Sequence, residues 1–154
     1  MIGFYQCLRL VACSAHDSDG TGFQSCKYLS SCYAYGCTDE GFSTCHNLSS
    51  CEADNCGSDS SDGGFNGCVG LTACFATGCA YDGFKSCERL SSCKATGSQY
   101  HGFNACSIMS ACHGTSNTGN DFNACSYMSA CKADAAGKFV DCTTEVDPDS
   151  CNNS

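Results

Sequence analysis

Apolar residues recur along this chain on a fixed step. Phenylalanines stand at Phe4, Phe23, Phe42, Phe65, Phe84, Phe103 and Phe122, spaced 19, 19, 23, 19, 19 and 19 residues apart. A period near 20 marks a solenoid, in which one short unit stacks on copies of itself. Counting each unit from the residue before its phenylalanine, usually Gly, places Phe at position 2, Cys at 5, Leu or Met at 8, Cys at 11 and Ala at 13. Position 11 is always Cys and position 13 is Ala except at Gly114, whereas position 12 runs Ser14, Tyr33, Glu52, Phe75, Lys94, His113, Lys132. Fixed, variable, fixed is period two, which predicts a strand with 11 and 13 inward and 10, 12 and 14 outward. The alternative, an α-solenoid, would bury Glu52 and Lys94. Phe, Cys and Leu three residues apart predict a tight helical turn or compact bend ahead of that strand. Positions 9 and 10 hold mostly Ser, Thr and Ala, from Ser30 to Ser129. They read either as a tight corner that admits only small residues or as a ledge for a ligand.

The expected fold is therefore a right-handed repeat solenoid, LRR-like or β-helical, with coils of about 19 residues, a narrow parallel sheet and a stacked Phe column. Residues 1–137 form its seven coils and residues 138–154 a C-terminal cap or tail. Phe139 and Val140 are the apolar part of that cap, and Cys142 and Cys151 are placed to staple it. The extra four residues of the third coil fall between Gly57 and Gly64 and predict a loop that leaves the stack undisturbed. Nothing similar precedes the first coil, an open edge that favours end-to-end self-association.

Composition changes this picture in two ways. Leu, Ile, Val and Phe number only 21 of 154 residues, too few for burial alone to hold the fold, whereas cysteines number 19. Cysteine at this density predicts a disulfide scaffold and an extracellular or secreted setting, with the leader absent from the sequence. The net charge of −9 with seven Lys and Arg argues against nucleic acid as a partner, because phosphate binding needs clustered cations. No apolar run is long enough for membrane insertion. The partner expected is an unknown extracellular ligand or surface.

The string F-x-x-C-x-x-L-x-x-C-x-A, for example Phe42, Cys45, Leu48, Cys51 and Ala53, resembles the core of BspA-like leucine-rich repeats, as a short, cysteine-rich variant. That resemblance covers seven coils and implies a surface-exposed, non-enzymatic binding role. The cysteine spacing is also similar to the insect antifreeze β-solenoids, whose half-cystines cross-link each coil. It implies a disulfide ladder of Cys7 with Cys13, Cys26 with Cys32, Cys45 with Cys51, Cys68 with Cys74, Cys87 with Cys93, Cys106 with Cys112 and Cys125 with Cys131. Each bridge would close a loop of about seven residues, worth roughly 2 kcal/mol. Buried free thiols acting as small apolar groups are the other reading. The Thr-x-Thr ranks of those antifreezes are missing.

Candidate chemistry is sparse. Cys37, Cys56 and Cys79 share position 16 and would align between neighbouring coils, and an odd total leaves one cysteine unpaired. His16, His46, His101 and His113 occupy different repeat positions, so no thiol–imidazole pair recurs and no enzyme is expected. Cysteine and histidine spacings do not fit zinc. Asp17, Asp19, Asp59 and Asp62 resemble fragments of calcium loops without the full ligand set, so neither metal nor cofactor is expected and solvated acidic turns are favoured. Asn47 and Asn152 fit the glycosylation acceptor pattern. The function expected is a non-catalytic extracellular surface-binding or structural protein, with ice binding as the alternative. For ice the face would be the turn side, where Asn104 and Asn123, Ser107 and Ser126, and Ser110 and Ser129 repeat.

Overall fold

A computed structural model describes residues 2–58, 62–134, 139–143 and 152–153. Every regular element among them is a β-strand of two to four residues. Each full coil supplies three. In the fifth coil they are Asp82–Lys85, Glu88–Ser91 and Lys94–Thr96, separated by Cys87 and Cys93. Equivalent strands of successive coils pair in parallel and in register, Phe65 with Phe84, Leu71 with Leu90 and Ala76 with Ala95. They form three sheets of eight, seven and eight strands, so the chain is a three-faced parallel β-solenoid. The β-helical expectation holds and the α-solenoid does not. One narrow sheet was expected, and three are found.

The difference lies in the three-residue spacing. Position 7 has positive φ in every coil, from Arg9 (φ 60) and Tyr28 (φ 58) to Ile108 (φ 56) and Tyr127 (φ 52), and so do positions 4 and 10, as at Ser25, Ser31, Ser86 and Ser92. A left-handed residue resets the in-out alternation of an extended chain, so two outward residues follow each inward one. Phe, Cys, Leu and Cys thus face inward three apart without any helical turn. Between positions 11 and 13 the alternation is that of an ordinary strand, and Ala34, Ala53, Ala76 and Ala95 are buried. Position 10 is a left-handed corner too, but so is position 7, which carries Arg9, Tyr28 and Ile108, so handedness alone does not account for the small residues at position 10.

The rings of Phe4, Phe23, Phe42, Phe65, Phe84, Phe103, Phe122 and Phe139 form one continuous stack with centroids 4.7–4.9 Å apart and planes within 6°. That spacing is the pitch of the parallel sheets themselves. Leu29, Leu48, Leu71, Leu90, Met109 and Met128 form a second buried column. The insertion leaves the register intact, since Phe65 pairs with Phe42 across 23 residues as it pairs with Phe84 across 19. The tail extends the stack as a partial eighth rung: Phe139 lies on Phe122, and Thr143 bridges to Ser126. Asn152–Asn153 pairs with Lys132 and Ala133, while Cys151 lies outside the described residues.

Position 1 is Gly because there is no space for a side chain. A Cβ on Gly22 would stand 2.8 Å from the carbonyl oxygen of Gly41 and 3.1 Å from the Cβ of Ala34. The seventh coil has Asp121 there, and the sixth has Gly114 where the others have Ala. The two exceptions belong together, because a Cβ on Gly114 would lie 2.5 Å from that of Asp121. Gly114→Ala should therefore destabilise the fold by about 1–3 kcal/mol through overpacking. In an Asp121→Gly background the same change should cost under about 1 kcal/mol, and denaturant unfolding of the four proteins in the cycle measures the coupling.

Candidate functional site

Two arrays carry chemistry, one inside the coil and one on its surface. The inner array is sulfur. Positions 5, 11 and 16 fall between strands, and their side chains line three columns along the axis. The first holds Cys7, Cys26, Cys45, Cys68, Cys87, Cys106, Cys125 and Cys142, the second Cys13, Cys32, Cys51, Cys74, Cys93, Cys112 and Cys131, and the third Cys37, Cys56 and Cys79. All eighteen described cysteines are free thiols, with no sulfur pair at bonding distance. The ladder expected from the antifreeze resemblance is thus not formed in this structure. Instead each thiol serves the backbone. Cys45 Sγ–H points to the carbonyls of Phe23 in the coil before and of Ser43 in its own, both at 3.4 Å. Cys68, Cys87, Cys106 and Cys125 reach back one coil to Phe in the same way, Cys74 and Cys93 reach Leu48 and Leu71, and Cys56 reaches Ala34.

At position 16 other residues replace sulfur. Asn117 Nδ2–H donates to the Ala95 carbonyl at 3.4 Å and to Asp121 Oδ1 at 2.7 Å, while its Oδ1 accepts from Ser98 N–H at 3.0 Å. Ser98 Oγ is buried without a hydrogen-bond partner. The acidic edge is also less solvated than expected. Asp17, Asp19 and Asp39 are exposed, but Asp82 and Asp121 are fully buried and Asp62 is 8% exposed. Asp82 accepts from His101 N–H and from Asn104 Nδ2–H, yet burial raises its carboxyl above the usual range, and burial does the same to Asp121. Repeat-breaking residues were the available signal for this network, and only Gly114 was noted as an exception. Among the described residues no three His, Cys, Asp or Glu side chains cluster to hold a metal ion; Asp59 lies outside them.

The outer array is the solvent face of the third sheet. Positions 12 and 14 place Tyr33 and Tyr35 beside Glu52 and Asp54, with His16 before them and Phe75 after. The His16 ring meets Tyr33 edge-on at 5.7 Å and Tyr35 at 6.1 Å, and Tyr33 stacks with Tyr35 at 6.3 Å. Tyr33 donates its hydroxyl to Asp54 Oδ2 at 3.0 Å, and partial desolvation together with that carboxylate pushes the phenol up to about 12. Phe75 is 42% exposed. Farther along, the face changes to Lys94, His113 and Lys132 beside the in-register threonines Thr77, Thr96 and Thr115. Sequence reasoning placed position 12 outward, but not the side-by-side aromatic and acidic columns, which depend on the register across coils.

The second sheet carries the hydroxyl column Ser30, Ser49, Thr72, Ser91, Ser110 and Ser129, paired in register. Exposed Tyr28, Ile108 and Tyr127 interrupt that face. Ser107 and Ser126 pair on it, and Asn123 Nδ2–H donates to Asn104 Oδ1 at 3.0 Å on the adjoining face. No helix among the described residues is long and apolar enough to cross a membrane. In comparisons with known proteins the chain matches no family profile and no curated sequence. The two resemblances therefore reach only as far as the solenoid and its coil.

The thiol interior sets an alkaline limit. Burial pushes Cys79 up to about 12, and contacts with Cys112 and Cys131 push Cys93 and Cys112, respectively, up to about 12. Their folded pKa values exceed the unfolded value near 8.5, so their stabilisation is complete below about pH 8.5 and is lost as pH rises towards 12. These three thiols alone give a slope of about 4 kcal/mol per pH unit within that window. Urea unfolding of the reduced protein from pH 7 to 11, under a phosphine reductant, should show that loss. A flat profile would rule out a buried thiol interior.

Proposed function

We propose that the protein is a non-catalytic extracellular binding solenoid that presents the third sheet of coils one to four to a cationic partner. The observation that carries this reading is the cluster of His16, Tyr33, Tyr35 and Phe75 around Glu52 and Asp54 on one rigid face. Exposed rings beside carboxylates bind ammonium and guanidinium groups by cation–π attraction and charge-assisted hydrogen bonds. The net charge of −9 steers such a partner in. An extended Lys- and Arg-bearing peptide fits this chemistry. The abundance of cysteine supports the extracellular setting. A non-catalytic role is supported by the thiols, which are buried donors to backbone carbonyls, and by His101, whose Nδ1 accepts the Asn120 N–H.

The test is titration of an alternating Lys/Arg peptide against the protein at low and physiological salt. Glu52→Gln with Phe75→Ala should weaken binding at least tenfold with unchanged far-UV circular dichroism, and salt should weaken it further. Equal affinity for wild type and variant would remove this face from the reading.

Ice binding stands second, supported by the hydroxyl column at the coil pitch on the second sheet. It ranks lower because Tyr28, Ile108 and Tyr127 protrude from that face, and ice demands a flat, repeating one. No appreciable thermal hysteresis is expected from the unmodified protein. Clear hysteresis, abolished by Ser107→Tyr with Ser126→Tyr, would reverse the ranking.

A further inference from the structure

We propose that the thiol columns are sites of oxidative modification in which disulfides join cysteines of adjacent coils along the axis, never the two cysteines of positions 5 and 11 within one coil. Three observations carry this. First, adjacent coils lie 4.7–4.9 Å apart, as the ring stack measures, and cysteines can be bridged when their α-carbons are about 4.4–6.8 Å apart. Second, neighbouring thiols within a column interact: Cys68 with Cys45 and Cys87, Cys74 with Cys51 and Cys93, Cys106 with Cys87 and Cys125, Cys56 with Cys37. None of these contacts joins positions 5 and 11 of one coil. Third, those positions are held apart by a four-residue strand such as Glu88–Ser91, a span of roughly 10 Å, with a buried Leu or Met between the columns.

The chemistry requires an oxidant, here a low-molecular-weight disulfide. As the chain folds and before the columns close, a column thiolate attacks one of its sulfurs and expels a small thiolate; the thiolate of its neighbour then attacks the mixed disulfide and expels the second. Two protein thiols are oxidised to one disulfide, and the small disulfide is reduced to two thiols. The third column favours initiation. Hydrogen bonding from Cys56, with further help from Ser18, lowers the Cys37 thiol while Cys56 moves up, so Cys37 is the more acidic of the facing pair. Neighbour pairing also limits the number of bridges: at most four in the first column of eight, three in the second of seven and one in the third of three.

The experiment refolds the full chain from the reduced, denatured state in an oxidised and reduced glutathione buffer, blocks remaining thiols, and maps non-reduced peptides by mass spectrometry. Expected bridges join residues 19 apart, 23 apart across the insertion, or 17 apart at the tail, such as Cys87–Cys106, Cys93–Cys112, Cys56–Cys79 and Cys125–Cys142. Bridges of the Cys87–Cys93 type, or a fully reduced product that has regained its circular dichroism, would overturn the proposal. Cys56→Ser supplies a second check that does not depend on the long columns. It leaves Cys37 and Cys79 two coils apart, so both should be recovered as blocked thiols; a bridge between them would equally overturn it.

Discussion

Between the two ends of the described stack, each inward side chain has a copy of itself, or a substitute, one coil above and one below, and that self-neighbouring at 4.7–4.9 Å decides what the interior accepts. Rings stack, methyl groups touch, and thiols donate to carbonyls one coil back. A column of carboxylates would set like charges under about 5 Å apart in a medium of low dielectric, at a cost of several kcal/mol per pair. Among the described residues the two fully buried acids sit where the column changes identity. Asp82 lies between Gly63 and His101, and Asp121 follows Gly102.

Cysteine suits this constraint better than the aliphatic residues common in other solenoids. It is small enough for a corner, apolar enough for burial, and carries a weak donor for a carbonyl that the turn leaves facing inward. Asn117 performs the same task for Ala95 with a stronger donor and recruits Asp121 in doing so. Ser98 cannot, and its hydroxyl remains without a partner. The outer surface is under no such restriction, which is why position 12 accepts Tyr33, Glu52, Phe75 and Lys94 in succession.

Repeat length, the inward columns and the strand at positions 12–14 were legible because burial enforces identity between coils, and identity is visible in a single sequence. The two additional faces were not. Their signature is a left-handed residue at positions 4, 7 and 10, and apart from Asn47, Gly67 and Gly70 the chain fills those with Gln, Thr, Arg, Tyr, Ile, Ser and Ala, so residue type gives little warning. Three-residue spacing was read as a tight helical turn or compact bend, whereas its source is the left-handed residue between inward positions. The candidate surface site was half legible. Outward positions follow from alternation, but the meeting of Tyr33 with Asp54 depends on a contact between residues 21 apart, which only the coil register supplies.

Identical neighbours also create a problem of address. A coil displaced by one full turn would still find Phe against Phe and Cys against Cys, so the uniform columns distinguish poorly between the correct neighbour and the next. The irregular residues resolve this. Asp121 fits only above a coil that lacks a Cβ at position 13, which Gly114 alone provides, and Asn117 is the side chain whose amide meets it. These misfits number the coils from within. A consensus array built from the commonest residue at each position would have a more regular interior and no internal means of counting.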